Sequence, residues 1–135
     1  MVALISLALT VGSPVALGAL GHAKGEEADR LIAALEDPRP ERRAAAAAIL
    51  GDEFAYSKRV REPLKKALGD ENAEVRLAAA GSLARIGDFS AGDQMVDTLF
   101  WIDCEYPDDH FEMIEFMLNS GDPDIEAKTE QWLTS

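Results

Sequence analysis

Cysteine is almost absent from this chain. Cys104 stands alone among 135 residues, which excludes an internal disulfide and suits a reducing, cytoplasmic setting. Histidine is nearly as scarce, and His22 and His110 lie too far apart in sequence to form a spaced ligand pair. There is no Gly-rich phosphate loop, no Gly-x-Ser-x-Gly elbow and no Cys/His arrangement with a third orienting group, so no enzyme and no cofactor is expected. Long apolar runs are missing as well. The run that begins at Val2 is broken by Gly12-Ser13-Pro14, well short of the about 20 residues that a membrane helix needs.

The most uneven shortage is of positive charge. Residues 1–87 hold 12 Lys or Arg and 12 Asp or Glu, whereas residues 88–135 hold Lys128 alone against 13 acids, which accounts for the whole net charge of −12. Seven of the nine aromatic residues fall in that acidic stretch, namely Phe89, Phe100, Trp101, Tyr106, Phe111, Phe116 and Trp132. The chain therefore has a neutral, alanine-rich part and an acidic, aromatic-rich part. A polyanionic surface repels nucleic acid and anionic lipid and attracts cationic partners. One basic cluster exists, from Lys58 to Lys66 with Arg39, Arg42 and Arg43, but residues 38–66 sum to only +4 and aromatic interleaving is limited to Phe54 and Tyr56. It reads as a solvated helix face or one that docks an acidic neighbour, not as a nucleic-acid surface.

What is present is a pattern written twice. Leu31, Leu35, Asp37, Glu41, Arg43 and Leu50 recur 33 residues later as Leu64, Leu68, Asp70, Glu74, Arg76 and Leu83. Each copy predicts a helix, a tight turn and a second helix. Self-similarity at this period marks a stacked array, because one helix pair cannot bury its apolar face alone. The alanine run Ala44–Ala48 has high helix propensity and small side chains, so it permits close approach of a neighbouring helix.

The phrases Leu64 to Asp70, Glu74-Val75-Arg76-Leu77-Ala78-Ala79-Ala80 and Leu83-Ala84-Arg85-Ile86-Gly87-Asp88 resemble HEAT repeats of the short bacterial kind also found in phycobilisome lyases. The resemblance implies an all-α fold, an α-α superhelix built as a right-handed solenoid of antiparallel helix pairs, with about seven or eight helices. It also implies a ladder in which a turn Asp and an Arg early in the second helix join neighbouring repeats. Asp37 with Arg43 and Asp70 with Arg76 keep the required six-residue spacing, and Asp122 with Lys128 repeats it with Lys in place of Arg. A chaperone-lyase that holds a linear tetrapyrrole is the activity implied by the lyase members.

At the start of the chain, residues 1–23 carry no fixed charge after Met1. Residues 1–24 read as a partial leading repeat, with Ser13 as a cap and Pro14 at the first helical position, and a second helix is expected from Gly25 to Asp37. A secretory signal is the alternative, against which stands the missing positive n-region. Val2, Leu4, Ile5, Leu7, Leu9 and Val11 leave no polar side, so a homodimer through residues 1–12 is expected to cover them. The regions 25–88 and 89–135 then form two clear repeats and a divergent acidic continuation of a single domain.

Beyond Asp88 three helices are expected, over about 93–102, 108–119 and 123 onward, with stripes Met95/Leu99/Ile102, Phe111/Ile114/Leu118 and Ile125/Thr129/Trp132/Leu133. The loop from Asp103 to His110 fits no zinc or calcium spacing, so no metal is expected. Its carboxylates beside aromatic side chains instead suit a protein partner of basic character. The candidate partner-binding residues are Trp101, Asp103, Glu105, Tyr106, Asp108, Asp109, Glu112 and Glu115, while Phe100, Phe111, Phe116 and Trp132 are expected in the core. The expected role is non-catalytic binding of a protein partner. Its sharper form is neutralisation or scaffolding of a basic protein, in the manner of small acidic immunity proteins that bind toxins.

Overall fold

The computed structural model describes residues 14–101 and 107–135, with side chains described at 21–98, 111 and 114–135. Residues 1–13, with the homodimer expected through 1–12, lie outside the described residues. The chain divides into two compact units, Met1–Arg30 and Leu31–Ser135. The described part of the first unit is helical and belongs to α1, which runs unbroken from Pro14 to Ala34. Pro14 opens this helix, where its missing N–H costs nothing, and Gly21 and Gly25 weaken the helix without breaking it. The separate start expected at Gly25 is therefore not found.

The second unit is an all-α stack of helix pairs. After the end of α1 come α2 (Pro40–Glu53), a 3₁₀ turn (Lys58–Val60), α3 (Arg61–Ala67), α4 (Ala73–Ile86), α5 (Gly92–Trp101), α6 (Pro107–Leu118) and α7 (Pro123–Thr134). Both bounds of α4 lie 33 residues after those of α2, so the sequence period is a structural period. Pro40 sits in the first turn of α2, and Asn72 caps α4 by accepting hydrogen bonds from the N–H groups of Glu74 and Val75. Gly87, at φ 79°, ends α4 in the left-handed conformation that a side chain would disfavour.

The core lies where α2 packs along α4. Leu50, Leu64, Val60, Val75 and Leu83 are fully buried, and Ala46, Ala47, Ala79 and Ala80 bring the helix backbones together. Approach is closest at Gly51, where an added Cβ would lie 2.7 Å from the Cα of Ser82. The buried Ser82 hydroxyl donates to the carbonyl of Ala47 at 2.7 Å, so the one polar group at this contact is satisfied.

Among the described residues, the ladder expected from the spacing forms at one rung. Arg43 donates from Nε and Nη2 to both oxygens of Asp70, at 2.8 and 3.0 Å, while Nη1 donates to the carbonyls of Asp37 and Pro38. All three turn aspartates do the same local work, accepting from the N–H two residues on: Arg39 for Asp37, Asn72 for Asp70 and Asp124 for Asp122. Yet Asp122 makes no rung with Arg76, and Lys128 bonds Asp93 instead. The packing gives the reason. α6 packs on α4 and α7 packs on α5 and α6, so α7 stands beside α5 as a first helix rather than closing a third repeat as a second helix. An Asp-Pro turn caps any helix start, and the local motif does not specify rank in the stack.

Two results are expected from this packing. Gly51→Ala, which forces backbone apart, should destabilise the protein by about 1–3 kcal/mol in urea unfolding. Gly81→Ala, whose added Cβ meets nothing within 4 Å, should stabilise it by about 0.5–1 kcal/mol. Equal effects at both positions would contradict the close approach.

A second expectation concerns acid. Burial pushes the Asp70 carboxyl up, but hydrogen bonds from Arg43 and from the Asn72 N–H outweigh it and hold Asp70 below the ordinary carboxylate range. A depressed folded value means that stability is fully present above the unfolded carboxyl value and is lost as pH falls through the folded one. Asp70→Asn should lower the melting midpoint at pH 7 by roughly 5 °C and should reduce the loss of stability on going below pH 4. A variant with the parent's full acid sensitivity would show that the rung contributes nothing.

Candidate partner-binding surface

The acidic part of the second unit is carried by α5, α6 and α7. Among its described carboxylates Asp93, Asp97, Glu115, Asp122, Asp124 and Glu130 are exposed. The one cation, Lys128, is held by Asp93, and that hydrogen bond together with the nearby Asp124 and Asp122 raises its pKa. Asp97 has no ion pair among the described residues. A cleft of about 460 Å³ opens between α5 and α7, and its lining includes Asp93, Val96, Asp97, Lys128, Gln131 and the half-buried Trp132. Carboxylates beside an indole form a setting in which an ammonium or guanidinium group is favoured by both charge and ring face.

Of the eight residues singled out from the sequence, Glu115 has a described side chain, and it is exposed on α6. Trp101 is the last residue of α5, and Asp108, Asp109 and Glu112 belong to the first half of α6, with side chains outside the described residues. Asp103, Glu105 and Tyr106 lie outside the described residues altogether. By helical position Asp108, Phe111, Glu112 and Glu115 fall on one side of α6.

Phe111 corrects the expected core. It is 72% exposed, and Phe116 is 37% exposed, while Met117 is fully buried. The stripe buried by α6 therefore centres on Met117, with Ile114 and Leu118 partly buried beside it. Leu133 is likewise half-exposed, whereas Ile125 and Thr129 are buried as expected. The aromatic residue at the acidic surface was thus misplaced in the reading of the sequence. A signal was available, because the helical neighbours of Phe111 at three and four positions are Asp108, Glu112 and Glu115, which mark a solvated side.

The basic cluster is largely consumed inside the chain. Arg39 pairs with Asp37, Arg43 with Asp70, Lys66 with Glu36, and Lys65 with Glu62 and Asp88. Asp88 is buried; burial pushes its carboxyl up, but the Ser90 hydroxyl and N–H, with Lys65 and Arg61 nearby, hold it low. The acidic neighbours that this cluster docks are therefore groups of the same molecule. Among the described residues no group of three His, Cys, Asp or Glu side chains is placed to hold a metal ion, and no helix is long and apolar enough to cross a membrane.

A stack of helix pairs at a 33-residue period, with a turn Asp and a second-helix Arg joining neighbours, defines a helical repeat protein. Residues 28–100 match the family of HEAT repeats, and the chain belongs to that family. HEAT repeats generally mediate protein–protein interaction, and proteins built from them are typically non-catalytic scaffolds. Comparison with curated proteins gives no match.

The orientation of α6 can be checked directly. Phe111→Ser should change unfolding free energy by less than about 0.5 kcal/mol, whereas Met117→Ala should cost about 2–5 kcal/mol. The reverse order in a denaturant titration would put Phe111 in the core.

Proposed function

We propose that the protein is a non-catalytic interaction module that binds a basic protein partner through its acidic C-terminal helices, as a small acidic neutralising or scaffolding protein. The observation that carries this reading is the exposed set of carboxylates on α5 to α7, beside exposed Phe111, with Lys128 already held by Asp93. Such a surface raises the encounter rate with cations at low salt and orients them on approach. Carboxylates alone give little affinity after desolvation, and aromatic side chains supply the contact area in which binding energy concentrates. Trp101, Tyr106, Phe111 and Trp132 are four of the seven aromatic residues of this stretch, and Asp103, Glu105, Asp108, Asp109, Glu112 and Glu115 supply charge along it.

The test is capture of partners from native lysate on the immobilised protein, with elution by a salt gradient. A basic protein should be retained and released as salt rises. Its binding should be lost when Asp103, Glu105, Asp108 and Asp109 are all changed to Lys, with the helical melt of the variant unchanged. Retention of the same partner at unaltered affinity by the reversed variant would sink the proposal.

A further inference from the structure

The side of α2 that meets α4 carries Gly51, which lies against Ser82, and Ala44 two turns before it. Their counterparts on α4, one repeat on, are Leu77 and Ala84. Both lie on the side of α4 turned away from Ser82, and both are buried where the later helices pack on α4. The same register continues into α6: fully buried Leu83 corresponds to fully buried Met117, and Gly87 to Gly121, both of positive φ. The equivalent side of α6 therefore carries Phe111 and Leu118. Leu77 is 6% exposed, whereas Phe111 is 72% exposed. At Phe111 the helix α6 leaves open the side that α2 and α4 bury under a following helix.

Acidic residues frame this open side. Glu115, one turn after Phe111, is exposed, and Asp108 and Glu112 share its side of α6 by helical position. The short link 119–122 returns the chain, so Leu133, half-exposed near the end of α7, comes level with the first turns of α6, and the exposed Glu130 precedes it by one turn. We infer that this side of α6 is the seat of a basic amphipathic helix of the protein partner, laid against Phe111 as α4 is laid against Ala44 and Gly51. The inference rests on the proposed binding of a basic protein and names the element by which that partner binds. Apolar residues of the incoming helix at helical spacing cover Phe111 and Leu118, and its lysines or arginines reach the carboxylates on either side. A second copy of this chain is a poorer occupant. It would bring the same acidic helices, whose one cation, Lys128, is already held by Asp93, and like charges facing each other oppose that contact.

The test titrates the intact protein with a capped peptide of leucine and lysine, 14 residues long like α4, in the heptad Leu-Lys-Lys-Leu-Leu-Lys-Leu. A scrambled peptide of the same composition is the control, and binding is read from backbone amide NMR signals. The helical peptide should bind saturably and shift the signals of α6. The scrambled peptide, and the helical peptide against Phe111→Ser, should bind at least about tenfold more weakly. Tyr56→Ser, at a fully exposed aromatic residue of the repeat part, should leave binding unchanged. Equal binding of the two peptides would overturn the helix, and unaltered binding by Phe111→Ser would overturn its seat. In either case a captured basic partner that is lost on reversal of the acids leaves the acidic surface standing, so the two readings fail separately. Absence of binding by both peptides would overturn the inference as well. Self-association of the unaltered protein in sedimentation, abolished by Phe111→Ser, would overturn it in favour of a second copy.

Discussion

Everything in the described stack depends on how closely α2 can lie against α4. Gly51 and Ser82 set that distance, with alanines at the neighbouring contacts, and the Ser82 hydroxyl closes onto the carbonyl of Ala47. Helices of only 14 residues gain little stability from propensity alone and need tertiary burial to persist. Small residues provide it here by letting backbones approach and bringing Leu50, Val75 and Leu83 into one dry layer. The bidentate Arg43–Asp70 pair is the polar counterpart of this contact, and it joins the same two repeats at their turns. Steric fit and ion pair thus specify one register between the same neighbours.

The charge distribution builds on that frame. Cations in the repeat part are drawn into pairs that fasten turns and helix starts, such as Arg39 with Asp37 and Lys65 with Asp88. Described carboxylates of the later helices such as Asp97, Glu115, Asp124 and Glu130 are left exposed, because those helices bring Lys128 alone. The proposed preference for basic partners rests on this division, whereas the family's general role is protein–protein interaction.

Much of this was legible in the residues. The 33-residue period gave the helix pairs of the first two repeats, and Asp37, Arg43 and Asp70 gave the rung, because these features are local or repeat at a fixed interval. The failures share a cause. The unbroken run of α1 past Gly25 hid behind glycines that weaken a helix without ending it. The rank of α7 hid because Asp122-Pro123 specifies only a helix start. Phe111 was read as core because an aromatic residue at helical spacing satisfies a hydrophobic stripe, and only the packing of Met117 shows which stripe α6 buries. Asp103, Glu105 and Tyr106, singled out from the sequence, lie outside the described residues.

The rung between Arg43 and Asp70 has a consequence for how the stack comes apart. In a solenoid, cooperativity is passed between nearest neighbours, so each interface transmits folding only as strongly as its own contacts allow. The α2–α4 interface carries a sealed apolar layer and the repeats it joins share an ion pair, whereas among the described residues no ion pair joins α4 to α5, α6 or α7. Opening events that begin at α7 can therefore spread through α5 and α6 and stop at α4, so that the acidic helices exchange their amide protons as a group of their own while the older rhythm of the repeats stays closed.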